Sequence, residues 1–377
     1  MNKICGVTNN SQNVKVNAHF KVGVFYFCTM MKSVDYIVVG CGLASIAFCE
    51  LLRNNKKSFI VFDDNSQQSS IVAAGLYNPV ILKRFSEVWK AKEQLNLALP
   101  VYKRIEQDLK IKIDYKLRIL RRFTSIKEQN LWFNASDKPK LEPYLSTQLV
   151  KNTNEFIDAP FGFGEVLHAG RIETEKLIHA YKTFLKENQS FVEARFEYQN
   201  LQVSPHGLIY NDINARQVVF AEGFGVKNNP YFKDIPLNGT KGEVLIIKAP
   251  QLNIDYGIKS SVFIIPLEND LYAVGATYNW TDKSNIPTEE GKQELINKLK
   301  TFLQCEFEVV QHLAGIRPTV KDRRPLVGQH AEYQNLYVLN GLGTRGVMIA
   351  PYVAQKLYQL IENNTALDSE INISRFN

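Results

Sequence analysis

The stretch Asp35-Tyr36-Ile37-Val38-Val39-Gly40-Cys41-Gly42-Leu43-Ala44-Ser45 decides the fold. Its start is a short apolar run without breakers, which reads as a buried strand. A glycine turn follows, and Ile46, Ala47, Leu51 and Leu52 then mark the apolar face of a helix. A second run, Ser58 to Phe62, reads as another strand and leads into Asp63 and Asp64. Strand, turn, helix and strand within about thirty residues make one βαβ unit, with parallel strands and a right-handed crossover. The first glycine of such a turn, Gly40, permits the tight bend. The second, Gly42, lets the backbone approach a pyrophosphate, and the third position, here Ser45, allows close packing of helix on strand. The helix N-terminus beside Cys41, Leu43 and Ala44 offers unbonded N–H groups to phosphate charge. Asp63, about twenty positions beyond the first glycine, is placed to bond ribose hydroxyls, with Asp64 able to replace it after a small shift. The turn therefore reads as a dinucleotide site.

Outward from this unit, 377 residues are more than one small core uses, so two domains are expected. Ser86 to Lys110 reads as a helix, Arg118 to Ser125 as a strand and Leu177 to Leu185 as an amphipathic helix. Strand candidates follow between Phe191 and Phe220, then at Val244–Ile247, Ser261–Ile265 and Tyr272–Thr277. Glu289 to Leu303 is helical, Leu336 to Leu339 is a strand, and a long helix runs to about Ile361. Parallel units at both ends and an antiparallel centre predict an α/β nucleotide domain interrupted by a more antiparallel partner.

The C-terminal third carries several further ordered motifs. Ala314-Gly315-Ile316-Arg317-Pro318 precedes Asp322-Arg323-Arg324-Pro325-Leu326-Val327-Gly328. Leu336-Tyr337-Val338-Leu339-Asn340-Gly341-Leu342-Gly343-Thr344-Arg345-Gly346-Val347 then leads into Ala350-Pro351. With Gly170-Arg171-Ile172-Glu173-Thr174, Lys241-Gly242-Glu243-Val244 and Ile265-Pro266 before Ala273-Val274-Gly275-Ala276-Thr277, this order resembles the D-amino-acid oxidase and glycine oxidase family of flavoenzymes, from Met31 to Ile361.

The resemblance implies a Rossmann-like FAD-binding domain of the glutathione-reductase type, interleaved with an antiparallel-sheet substrate domain. The expected division gives 31–85, 165–235 and 318–377 to the FAD domain, and 86–164 and 236–317 to the substrate domain. It implies FAD with its ring at the domain boundary, approached by Gly341, Gly343, Thr344, Arg345, Gly346 and Val347 at the start of the last helix. N–H groups there stabilise negative charge on the reduced ring. Ala73-Ala74-Gly75 matches the small-residue loop that lets the ring lie close to the backbone. Arg317 matches the arginine that forks onto a substrate carboxylate, through two parallel hydrogen bonds. Arg345 is a second anion-binding candidate.

Relatives often place Tyr before the Val-Pro pair, whereas this chain has Ser261-Val262-Phe263-Ile264-Ile265-Pro266. A tyrosine hydroxyl for the carboxylate would have to come from Tyr256, Tyr272 or Tyr278. His168 and His312 read as structural residues, and no spacing suits a metal. None of the five cysteines stands in a flavin-attachment motif, so the FAD is expected to be non-covalent. The cysteine pattern suits a reducing cytoplasm.

Residues 1–30 are expected to be a leader or a mis-called start ahead of Met31, and Phe20 to Met31 is too short an apolar run to span a bilayer. The net charge of +7 is mild and reads as solvated surface. The expected activity is oxidation of a C–N bond in a small amino acid or secondary amine by hydride transfer to flavin, with reoxidation by oxygen or another acceptor. Two alternatives stand beside it. The Gly-Leu-Gly-Thr-Arg-Gly loop also looks like the flavin half of the bifunctional tRNA wobble-uridine enzyme, which removes a carboxymethyl group, so tRNA is a possible partner. A non-catalytic flavin-binding protein is the other. No sequence feature speaks to an oligomeric state.

Overall fold

Val38 stands in register between Val61 and Val219, and Val219 in turn pairs with Tyr337, all in parallel. These residues mark the middle of the first of two large sheets in the computed structural model, which describes residues 31–204 and 207–376. The reading of residues 1–30 lies outside the described residues.

The parallel core of this sheet runs Phe191–Val192, Phe59–Phe62, Lys32–Val39, Ile213–Phe220 and Leu336–Asn340. Its strands are apolar on both faces because both are covered. One face packs on the helices Leu43–Asn54, Thr174–Glu187 and Gly346–Asn363 through residues such as Phe48, Leu52, Tyr181 and Met348. The other buries Ile37, Ile60, Phe196, Tyr210 and Phe220. An antiparallel hairpin, Leu201–Ser204 and Gly207–Tyr210, joins the first half of Ile213–Phe220.

The second sheet has eight strands in the order Glu308–Val320, Leu237–Lys248, Leu271–Gly275, Phe263–Pro266, Gly257–Lys259, Ile119–Arg122, Phe163–Val166 and Leu145–Val150. All neighbours are antiparallel except Gly257–Lys259 with Ile119–Arg122. Alternation along each strand divides its residues between two faces. Leu245, Ile264, Val274, Ile258 and Leu120 pack with Leu295 and Leu299 of the helix Glu289–Lys300. Val244, Ile265, Ala273 and Ile119 are turned the other way.

Several elements differ from the sequence reading. Ser86–Glu87 pairs with Val80–Ile81, and the helix starts only at Ala91, after Lys90 takes a left-handed conformation. The strand expected over Arg118 to Ser125 spans Ile119–Arg122, because Ser125 is already a helix cap accepting from the Glu128 N–H. The helix Ala91–Leu109 packs against the helices of the first sheet, with Leu95, Ala98, Tyr102 and Ile105 in one core with Phe48, Leu52 and Met348. The Tyr102 hydroxyl donates to the Val347 carbonyl at 2.8 Å. Burying side chains of this size stabilises by about 1.5–3 kcal/mol each. The strand Glu308–Val320 is continuous over thirteen residues.

Candidate functional site

A cavity of about 1170 Å³ lies between the two sheets, and the ends of both glycine loops open into it. Gly40 has φ +96°, and a Cβ there would stand 2.5 Å from the Ala221 carbonyl oxygen, so only glycine lets the turn pass the end of the neighbouring strand. Gly42 caps the helix Leu43–Asn54 without any side-chain cap bond. The first N–H groups of a helix have no partner within it, and here Leu43 and Ala44 line the cavity. Ser70 Oγ stands 3.5 Å from the Leu43 nitrogen. Cys41 also lines the cavity, and burial, with Asp63 adding to it, pushes its thiol up to about 12. Ser45 is buried beneath the turn and does not reach the cavity.

Of the two acids after the second strand, Asp63 faces the cavity and Asp64 does not. Asp63 forms an ion pair with Lys182, from the helix Thr174–Glu187. The Asp64 carboxylate accepts instead from the Ser66 N–H at 3.0 Å. Lys182 was missed by sequence reasoning, since nothing local marks a lysine over a hundred residues away as the partner of Asp63. Glu222, also missed, lines the cavity beside the Gly40 turn. Burial pushes its carboxyl up to about 7, although Asn229 and Tyr198 both donate to it.

Ala73, Ala74 and Gly75 form the cavity wall between the sheets. Gly75 has φ +70°, and a Cβ there would fall 1.8 Å from the Ile172 carbonyl oxygen. The loop is fixed by the Ile172 N–H donating to the Gly75 carbonyl at 2.9 Å and by Thr174 Oγ1 donating to the Ala73 carbonyl at 3.0 Å. Gly341, Gly343, Thr344, Arg345, Gly346 and Val347 line the opposite side, where the helix Gly346–Asn363 begins without a side-chain cap bond. Two uncapped helix N-termini thus open into one cavity, each favouring negative charge.

Arg317 lies on the cavity face of the second sheet, across from Thr240. Its guanidinium occupies the space above Gly242, donates to the Thr277 carbonyl at 3.2 Å and lies 4.7 Å from the Tyr278 ring centre. Burial lowers the pKa of Arg317, and burial likewise lowers that of Arg345. Among the described residues neither forms an ion pair with a carboxylate. Of the three candidate tyrosines, Tyr278 lines the cavity. Tyr272 is buried on the other face of the sheet, and Tyr256 packs there against Phe163. His312 is also on that other face, with Nε2 2.8 Å from Glu243 Oε2, and His168 stands against the Tyr144 ring. The role of Gly242 was signalled by a glycine inside a strand, which often marks a close approach.

Two helix N-termini and two small-residue loops around one cavity fit an anionic dinucleotide. A parallel sheet and an antiparallel sheet thus face each other across one cavity, as in two-layer dinucleotide-dependent enzymes. The chain belongs to the DAO family of FAD-dependent oxidoreductases, whose description, FAD dependent oxidoreductase, matches residues 35–360. FAD is its cofactor and it is an enzyme. It is 27% identical to a glycine oxidase of Bacillus subtilis over 54% of this chain and 59% of that protein. It is 24% identical to the tRNA 5-methylaminomethyl-2-thiouridine biosynthesis bifunctional protein MnmC of Campylobacter jejuni, over 49% of this chain and 32% of that protein. The chain thus matches less than two thirds of the length of either relative. In fold it is similar to the crystal structure of glycine oxidase from Geobacillus kaustophilus, with a TM-score of 0.74, 18% identity, and coverage of 90% of this chain and 97% of that one. No described helix is long and apolar enough to cross a membrane.

Proposed function

We propose that this enzyme oxidises the C–N bond of an amino acid or secondary amine that carries a carboxylate. The observation that carries this reading is Arg317: a recessed guanidinium in the FAD cavity, held by Gly242, Thr277 and Tyr278, with no carboxylate of the protein paired to it. A planar guanidinium binds a carboxylate through two parallel hydrogen bonds, which fixes orientation as well as charge. Tyr278 stacks on that guanidinium and adds a hydroxyl-bearing ring to the same wall. When bound, FAD would supply the two-electron acceptor for hydride from the carbon next to nitrogen, and Arg317 would hold the carboxylate so that this carbon is presented to it. This reading uses an amine that binds neutral, so no protein base is required. Ala73, Ala74, Gly75, Gly341 and Gly343 leave room for the ring, Asp63 takes the ribose hydroxyls, and the FAD is held non-covalently. Anaerobic mixing with glycine, sarcosine and D-amino acids tests it. Loss of flavin absorbance with one of them is expected, and an unchanged spectrum with all of them would refute it.

A second reading rests on a separate feature. Tyr278 and Trp280 are each 60% exposed at the cavity mouth, which Lys321, Arg323 and Arg324 also line. Exposed aromatic rings beside cations suit stacking on bases and contact with phosphates. This supports a modified tRNA uridine as the amine. Salt-sensitive tRNA binding is then expected, and no binding at low salt would exclude it.

A further inference from the structure

The cavity continues well past Arg317 along the second sheet. Val244, Gly275, Phe263, Lys259 and Arg121 pair in register across five strands, so they form one row on one face. Val244, Phe263, Lys259 and Arg121 all line the cavity. The strand of Lys259 is four places from that of Arg317 in the sheet order. Arg317 pairs with Thr240, four residues along the strand from Val244, so at about 4.8 Å per strand and 3.4 Å per residue the two backbones are roughly 23 Å apart.

The far end is built of three cations. Arg121 is committed to Glu128 through a 2.9 Å hydrogen bond from Nε, and it also donates to the Ser260 carbonyl at 3.3 Å. Lys298 is paired with Glu294 at 2.5 Å, and its own carbonyl accepts from Ser261 Oγ at 3.1 Å. Lys259 is different. It is partly buried, and among the described residues its ammonium has neither an ion-pair partner nor a hydrogen-bond acceptor within reach. Burial first, then Arg121 and Lys298, push its pKa down to about 8. At neutral pH it is still mostly an ammonium. A cation withdrawn from water without an acceptor is unfavourable, and more so beside two like charges. A ligand anion would supply the missing acceptor and offset the neighbouring charges of Arg121 and Lys298.

We propose that Lys259, flanked by Arg121 and Lys298, is a second anion subsite, which takes a carboxylate or phosphate at the far end of an elongated amine substrate. This rests on the amine-oxidation reading for what lies at the near end, with Arg317 taking the first carboxylate. It makes the preferred substrate larger than a simple amino acid.

Calorimetry on the FAD-loaded enzyme tests the subsite without turnover. The probes are unreactive α,ω-dicarboxylates of increasing length, their ω-phosphono counterparts and matched monocarboxylates. At a spanning length the doubly anionic probe is expected to bind about tenfold more tightly than the monocarboxylate, as one hydrogen bond to a charged group permits. Lys259→Met should abolish that gain, Lys259→Arg should retain it, and Arg317→Met should weaken both probe types alike. A phosphonate that outbinds the dicarboxylate assigns the subsite to phosphate, and the reverse order assigns it to a carboxylate. Equal binding of singly and doubly charged probes at every length, or a gain that survives Lys259→Met, overturns the proposal. Failure of amine oxidation would show separately, as an unreduced flavin with every amine, while the calorimetry still reports on Lys259.

Discussion

The guanidinium of Arg317 fills the space where any side chain at position 242 would begin. A Cβ on Gly242 would stand 1.9 Å from Nη2 and 2.1 Å from Cζ, while the Tyr278 ring closes over the other side at 4.7 Å. Gly242→Ala is therefore expected to evict the arginine and leave the fold intact, because the neighbouring strand still bonds through its backbone. Losing a bidentate contact to a carboxylate costs about 1.5–3 kcal/mol, so kcat/KM should fall at least tenfold. Steady-state kinetics beside the flavin spectrum check this: the spectrum should persist while KM rises. Unchanged KM would mean that the Arg317 position does not set substrate affinity.

Asp63 faces the cavity with Lys182 as its counter-ion. A carboxylate held this way is oriented before any ligand arrives, which lowers the entropic cost of binding. Asp63→Ala should raise the Kd for FAD by roughly ten- to hundredfold, the value of a hydrogen bond to a charged group. Lys182→Met leaves the acceptor in place and should weaken FAD less. Fluorescence titration of the apoprotein with FAD measures both, and equal effects from the two variants would assign the role to the ion pair itself.

Glu222 predicts a pH dependence. Its carboxyl is raised to about 7 by burial, from an ordinary value of 4.5. Between these values the folded protein holds a proton that the unfolded chain has lost, so stability falls as pH rises through that window and levels off above it. The loss is on the order of 3 kcal/mol. Glu222→Gln should remove it: the amide oxygen can still accept from Asn229, and the amide NH2 can donate to the Tyr198 hydroxyl oxygen. Urea unfolding of both proteins, saturated with FAD, at pH 5 and pH 8 checks this. A wild-type loss on raising pH that the variant shares would place the titration elsewhere.

What could be read from the sequence was local or repeated. The Gly40 turn lies between an apolar strand and an amphipathic helix, and each feature is visible within a dozen residues. The Gly341 loop carries the same kind of signal, and the structure brings it with the first turn into one cavity. Contacts between distant segments left no such trace. Lys182 is one of many lysines until the crossover brings it over Asp63, and Lys259 is an ordinary strand residue until Arg121 is paired beside it. The apolar stripe of the helix Ala91–Leu109, Leu95, Ala98, Tyr102 and Ile105, found its complement on the last helix. Tyr278 could not be told from Tyr256 and Tyr272, because which face of the sheet each occupies depends on register.

Lys241 holds the loop that carries Tyr278 and Trp280. Its side chain is fully buried, on the face of the strand opposite Thr240 and Gly242. The ammonium donates to Asp282, to Ser284 Oγ at 3.4 Å and to the Ile286 carbonyl, with Glu243 Oε1 at 3.6 Å. Glu243 in turn accepts from the Thr288 N–H at 2.9 Å and hydroxyl at 2.8 Å. One buried cation therefore secures the segment from 279 to 288 at several points behind the cavity wall. Lys241→Met removes the donor to Asp282, Ser284 and Ile286 and leaves Glu243 only its contacts to His312 and Thr288; breaking a buried pair costs about 3–5 kcal/mol. Thermal unfolding should report that loss. The same variant should raise KM through the displaced Tyr278 while the flavin spectrum stays as in the wild type. Limited proteolysis cutting first between 279 and 288 would locate the loosened segment. A variant that unfolds earlier with unaltered KM would confine Lys241 to stability and separate the loop from substrate binding.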